Sequence, residues 1–379
     1  MAISTIGASA LDSGVSQLGK NLIINGAHTV DQRSGDTRTG LGTSGQYISD
    51  RWQYDAGSSP SARWTASVES GGGLNGKSNW LKFLCTTADG SPSTNEKAQV
   101  RQAIEAQSIS GPALDSSGDL KQLTLSMDII AHADGASSVT FPAKAAVGLF
   151  TADGTQRQII SDVTIAADAT WERVSVTFPA DATASIDHNT GAGLWVHVAL
   201  YGGSDRQGTA DTWFNFGNDI ITADTDNWAD ATNNYIGFTN VQLEVGSVST
   251  DFQHEDIGTT FAKCLRYFWR YEPTNEVSQN ICVCFSQSVG TVTGVLRYPV
   301  IMRAAPSAAT TAAATFEVLY NNGGSLAQSD CTGINVGQIR VDQATLFFGV
   351  SSDPFTIGEA AIGRRDSTDT TRIDLSAEL

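Results

Sequence analysis

Leu123-Thr124-Leu125-Ser126-Met127-Asp128-Ile129 decides how this chain folds. Apolar and polar side chains alternate at every step, which is the period of a β-strand with one buried face. The same period returns in Val174, Val176 and Phe178 after Trp171, in Val196, Val198 and Leu200, and in Val241, Leu243 and Val245. Turn-forming clusters separate these runs, among them Ala152-Asp153-Gly154 and Gly202-Gly203-Ser204-Asp205. Short strands at this spacing, with no helical period between them, predict an all-β sandwich or jelly roll over residues 21–254.

Composition agrees. Hydrophobic residues make up 40% of the 379 and charged residues 17%, with 37 glycines; this is too apolar for a disordered chain and too turn-rich for a helical one. A net charge of -17 repels phosphate backbones and anionic lipid, so no nucleic-acid partner is expected. Two readings of that charge stand: solubility of a large particle component, or a surface suited to salty water or cationic partners. No stretch nears the roughly 18 apolar residues of a membrane span, so no membrane insertion is expected either. Residues 1–20 are Ser/Ala/Gly-rich and lack the basic and apolar regions of a signal peptide. They read as an anchor that orders against a partner.

From Asp256 to Tyr271 the period changes: Ile257, Phe261, Leu265 and Phe268 fall on one helical stripe, with Lys263, Arg266 and Arg270 toward the C-terminal end. Residues 255–272 are therefore expected to form a linking helix. Residues 273–379 are expected to form a smaller C-terminal β-sandwich, with strands at 281–287, 291–298, 315–320, 337–341, 345–350 and 371–376; the tract 308–314 reads as a loop or an edge. No long internal repeat supports a solenoid. Cys85, Cys264, Cys282, Cys284 and Cys331 are too scattered for a disulfide framework. Cys282-Val283-Cys284 places both sulfurs on one strand face, and no second pair follows at zinc-site spacing; buried structural thiols are the expectation.

Several segments resemble a recurring type of phage virion protein. Asn21-Leu22-Ile23-Ile24-Asn25-Gly26 and Asp50-Arg51-Trp52 are similar to the entry of a carbohydrate-binding-module-like jelly roll of tail fibre and head fibre proteins. Trp171-Glu172-Arg173-Val174-Ser175-Val176 resembles one of its strands, and Thr239 to Gly246, running through Asp251-Phe252-Gln253-His254 to Phe268, resembles its exit. Asp374 to Leu379 resembles the usual terminus of such proteins. The resemblance implies a virion component, often trimeric, joined to other virion proteins and meeting a host-surface glycan. A tail fibre or receptor-binding role is the first expectation. A purely structural capsid head fibre or decoration protein is the alternative, and a polysaccharide depolymerase is third.

Sugar recognition needs flat aromatic faces beside carboxylates and amides. Trp195, His197 and Tyr201 alternate with the apolar set of their strand and are expected on its outer face; Trp213 and Trp228 stand near acidic loops. These five form the candidate glycan platform, with packing against another sheet, a loop or a neighbouring subunit as the competing account. Asp224, Asp226 and Asp230 offer the oxygen ligands calcium takes, without the EF-hand glycine and terminal glutamate; a solvated turn competes, and no other cofactor is expected. Phe261, Leu265, Phe268 and Trp269 are the expected homotrimer contacts, with packing between the two β domains as the other account. No catalytic centre is expected, because no G-x-S-x-G, H-E-x-x-H or P-loop spacing occurs and the five histidines are dispersed.

Overall fold

The computed structural model describes residues 21–34, 38–57, 60–272, 279–351, 354–366 and 371–379. The expected anchor, residues 1–20, lies outside them. The chain divides into two compact units, Met1–Ile257 and Gly258–Leu379, and both are all-β. Among the described residues no helix is long and apolar enough to cross a membrane.

Unit 1 contains β1 Gln46–Ser49, β2 Trp52–Gly57, β3 Arg63–Gly72, β4 Ser78–Thr87, β5 Lys97–Glu105, β6 Leu123–His132, β7 Ala143–Thr151, β8 Arg157–Ile165, β9 Glu172–Phe178, β10 Ala192–Gly202, β11 Phe214–Asn215 and β12 Tyr235–Val245. They form two sheets, β1-β2-β5-β10-β7-β8-β11 and β3-β4-β12-β6-β9, antiparallel throughout. The alternation explains the layering. Trp52, Tyr54, Val100, Leu149, Val196 and Val198 from the first sheet share one core with Phe83, Leu125, Met127, Ile129 and Phe238 from the second. Fully burying each such side chain contributes about 1.5–3 kcal/mol.

The segments resembling a jelly-roll entry prove to be clasps. Asn21 donates from Nδ2 to the Val241 carbonyl at 3.1 Å, and its Oδ1 accepts from the Leu243 amide at 3.0 Å, tying the start of the sandwich to β12. Asp50 accepts from the Gln32 amide at 2.6 Å, and Arg51 donates to the Ala103 carbonyl at 2.6 Å.

Unit 2 contains β13 Phe268–Tyr271, β14 Asn280–Ser288, β15 Thr291–Arg297, β16 Ser307–Thr310, β17 Phe316–Asn322, β18 Ser325–Asp330, β19 Gly333–Gly337, β20 Gln343–Gly349, β21 Ala360–Arg365 and β22 Ile373–Ser376. Its sheets are β13-β22-β16 and β18-β17-β21-β14-β15-β20-β19. Ile373 and Leu375 of the small sheet join Val292, Phe316, Leu346 and Phe348 of the large one in a single core.

Two expectations are corrected in this unit. The helix covers only Ile257–Leu265, and Phe268–Tyr271 is a strand. Its aromatic side chains suit a sheet, it pairs with β22 along its whole length, and Arg270 grips Asp374 through Nε to Oδ1 at 2.8 Å and Nη2 to Oδ2 at 2.9 Å. A ladder plus a bidentate ion pair outweighs the continuing helical stripe. The strand expected at 337–341 instead ends at Gly337, where Gln338 turns with φ of 47°. The tract at 308–314 contributes the edge strand β16.

Candidate functional site

The outer face of the seven-stranded sheet of unit 1 carries a largely buried polar ladder with half-buried Arg101 and aromatic rings beside it. β5 presents Lys97, Gln99 and Arg101 outward because Ala98, Val100 and Ile104 face the core. β2 adds Gln53 and Asp55 in register, Gln53 opposite Arg101 and Asp55 opposite Gln99. Asp55 is the hub of this ladder. Its Oδ2 accepts from Gln99 Nε2 at 2.7 Å and stands 3.2 Å from Arg101 Nη1 and 3.7 Å from Lys97 Nζ. Arg101 Nε also donates to Gln53 Oε1 at 3.0 Å.

Arg101 lies over the Trp195 ring, 4.0 Å from its centroid, a cation–π contact that orients both groups. Across β7, Phe150 runs nearly parallel to Trp195 at 6.5 Å, and Phe216 stacks on Phe150 at 4.2 Å. Phe216 belongs to a segment, 204–226, that crosses the outer face. Ile220 and Ile221 of this segment pack on Ala146, Ile160 and Ala199. Gln158 pins it, accepting from the Gly217 amide at 3.0 Å and donating to the Asp219 carbonyl at 3.2 Å. A cleft of about 30 Å³ remains between ladder and segment, lined in part by Gln99, Arg101, Trp195, His197 and Phe216. That volume suits a water or two, so a larger ligand must lie across the rim.

His197 forms the cleft floor over Gly148, where any Cβ would stand 2.4 Å from the imidazole Cε1. Burial, followed by the nearby Lys97 charge, pushes its pKa down to about 3, opposed by a hydrogen bond with the Ile220 backbone. The ring is therefore neutral at physiological pH. Its Nε2 and the Gln99 Oε1 have no hydrogen-bond partner among the described residues.

Only two of the five expected platform residues are here. Trp195 and His197 line the cleft. Tyr201 does not, because the register with β5 shifts between Ala199 and Tyr201; the irregularity turns its ring into the core against Trp64 at 6.5 Å. Trp228 is also core, with no exposed surface, and donates to the Lys144 carbonyl at 3.2 Å. Trp213 is half-buried and donates to the Pro179 carbonyl at 2.7 Å, outside the cleft lining. Sequence reasoning missed Gln53, Asp55, Lys97, Gln99 and Arg101. The alternation Lys97-Ala98-Gln99-Val100-Arg101 was their signal.

The three aspartates expected to hold calcium serve as acceptors for protein donors. Asp224 pairs with Lys144 Nζ at 2.9 Å and Asp226 accepts from the Lys144 amide at 2.6 Å. Asp230 takes the Ser138 amide at 2.5 Å and Asn234 Nδ2 at 2.7 Å. Among the described residues no group of three or more His, Cys, Asp or Glu side chains is placed to hold a metal.

Unit 2 offers a different surface. Cys282 and Cys284 share one face of β14 as expected, with Val283 and Phe285 on the other, but Ile281 packs on the same core as the thiols, beside an irregularity in the pairing of β14 with β21. Cys284 is buried, Cys282 is half-buried with its Sγ 3.6 Å from that of Cys284, and all five cysteines are free. The outward set is apolar: Val283 is 76% exposed and Phe285 55%. They border an open groove of about 800 Å³ together with Trp269, Tyr271, Val295 and Phe347. Of the expected oligomer contacts, Leu265 and Phe268 are buried in this unit, Trp269 lines the groove, and Phe261 is 41% exposed.

No protein-family model matches this chain, and comparison with curated proteins gives no match. Among solved structures the chain is similar to a protein described as "CBM4 structure and function", at 12% identity and a TM-score of 0.28, covering 59% of this chain and 98% of that one. It is also similar to the enzymatically active domain of bacteriophage CBA120 tailspike protein 4 (10%, 0.30, 60% of this chain and 22% of that). A third is the CBM22-1-GH10 region of Clostridium thermocellum xylanase 10B, complexed with xylohexaose (9%, 0.29, 55% and 29%). At such identities and scores the likeness assigns no activity to this chain.

Proposed function

We propose that unit 1 recognises saccharides on the outer face of its seven-stranded sheet, and that the chain serves host attachment as a phage fibre component. One observation carries the saccharide reading: Trp195, ordered by Arg101 at 4.0 Å, stands beside a ladder of amides, a carboxylate and two cations, with Phe150 and Phe216 completing an aromatic row. The half-buried aromatic rings meet the C–H surface of a sugar while Arg101, more exposed than Asp55 and Lys97, donates to its hydroxyls. The attachment reading is supported by the sequence resemblance to fibre proteins. The exposed apolar groove of unit 2 favours in addition an assembled role, with homotrimer formation or docking to other virion proteins covering it.

The test is a glycan array of host-surface polysaccharides followed by calorimetry on the full chain. Trp195→Ala and Arg101→Gln should each weaken binding about thirtyfold, while the core aromatic Trp228 replaced by Phe should leave affinity unchanged. An array on which nothing is retained sinks the saccharide reading.

A further inference from the structure

The five-stranded sheet of unit 1 has an outer face of its own, and Trp80 lies flat upon it. A Cβ placed at Gly72 on β3 would meet Trp80 Cδ1 at 2.4 Å, and one at Gly237 on β12 would meet its Cζ3 at 2.3 Å. The indole therefore spans from one neighbouring strand to the other, with a glycine beneath each end. Glycine inside a strand weakens it and marks places where something must approach the backbone closely. Here what approaches is the indole, its pyrrole edge against Gly72 and its benzene edge against Gly237.

Two further aromatic rings frame this plate. Trp171, from the turn before β9, stands perpendicular to Trp80 at 5.3 Å and 88°. Tyr235 is tilted at 6.4 Å, with Lys82 Nζ 4.6 Å from its centroid. All three rings are half-buried. Polar groups stand at the rim. His132 lies 5.4 Å from Tyr235 and bonds through Nδ1 to Asp168 Oδ1 at 2.9 Å, and the Ala133 amide donates to the same oxygen at 3.2 Å. The Asp168 side chain is 48% exposed.

We infer that Trp80, walled by Trp171 and Tyr235 and edged by Asp168 and His132, is a second saccharide site, on the face of the sandwich opposite Trp195. A floor of one flat indole with an upright ring beside it accepts a pyranose whose axial hydrogens form an apolar face, as in a gluco-configured β-linked chain. Asp168 accepts from its hydroxyls. Covering the sheet alone would call for aliphatic side chains and no glycines, as Ile130 on β6, paired with Gly237, already does where it lies buried. The site shares no residue with the cleft at Trp195 and does not rest on the function proposed for it.

The test uses the full chain labelled with 5-fluorotryptophan, its resonances assigned by single Trp→Phe variants, titrated with cellohexaose. Saturable shifts of the Trp80 and Trp171 resonances are expected, with binding weakened about fivefold in Asp168→Asn, an exposed position whose change leaves the fold intact. Shifts confined to Trp195 overturn this inference and leave the other face standing. Shifts of Trp80 and Trp171 without Trp195 support it and count against the other face. No shift of Trp80 up to the solubility limit of the sugar overturns it.

Discussion

Each unit contains a seven-stranded antiparallel sheet, and the two outer faces are chemically opposite. In unit 1 the outward positions are Gln53, Asp55, Lys97, Gln99 and Arg101 with a row of aromatics; in unit 2 they include Val283, Phe285, Val295 and Phe347. The polar ladder meets its hydrogen bonds within the sheet and presents chiefly Arg101 and the half-buried rings to a ligand. Exposed valine and phenylalanine side chains gain only by being covered. The same architecture thus supports a surface for reversible recognition and one for association, with outward-facing residues making the difference.

Acid should separate the units most strongly. All five histidines lie in unit 1, and burial pushes both His28 and His197 to about 3. Each folded value lies below the ordinary 6.5. Between those limits the unfolded chain holds a proton that the folded chain does not, so stability present above pH 6.5 is lost as pH falls toward 3. At pH 4.5 the two together remove roughly 5 kcal/mol. Seven of the eight tryptophans belong to unit 1, so urea unfolding followed by tryptophan fluorescence reads this loss directly. A double variant, His28→Gln with His197→Gln, should flatten the difference between pH 7.5 and 4.5. An unchanged difference would show that these imidazoles are not its source.

A single methyl tests the cleft floor next. Gly148→Ala sets a Cβ 2.4 Å from the His197 ring and 2.6 Å from the Ile159 carbonyl. It should cost unit 1 about 1–3 kcal/mol and displace His197, measured as a lowered urea midpoint together with lost glycan binding. Wild-type behaviour in both would mean that the ring has room to move aside. The smallest expected effect is in unit 2. Phe285→Ser with Val283→Thr should change stability by about 0.5 kcal/mol or less, since both side chains are exposed, yet should lower the mass found by light scattering if this face holds copies together. A mass that stays put assigns the groove another covering.

Regular alternation made much of the sandwich legible. Leu123 to Ile129, Val174 to Phe178 and Val196 to Leu200 all lie in strands that send those side chains to the core or against it. Alternation fails where the backbone breaks step. One irregularity after Ala199 sends Tyr201 inward, and nothing in the residue types announces it. Trp228 sits in an acidic stretch that composition marks as a solvated loop; the Lys144 amide and ammonium draw Asp226 and Asp224 down, and the Lys144 carbonyl accepts from the indole inside. Phe268 continues a helical stripe locally, and only its pairing with Ser376, more than a hundred residues away, makes it a strand. The ladder around Asp55 was written in plain period-two order but reads as ordinary surface until Trp195 is set beside it.

The crossing segment that carries Phe216 and Ile220 leaves a lasting mark on how such a protein changes over generations. One wall of the recognition cleft comes from the crossing segment, fastened by the β11 pairing, by Gln158, by Asp162 to Thr222 and Thr225 and by two isoleucines, and the other from the body of the sheet. Replacements at Phe216 and Asn218, which line the cleft without joining the buried cluster, can retune what is admitted while the fastenings around them keep the fold.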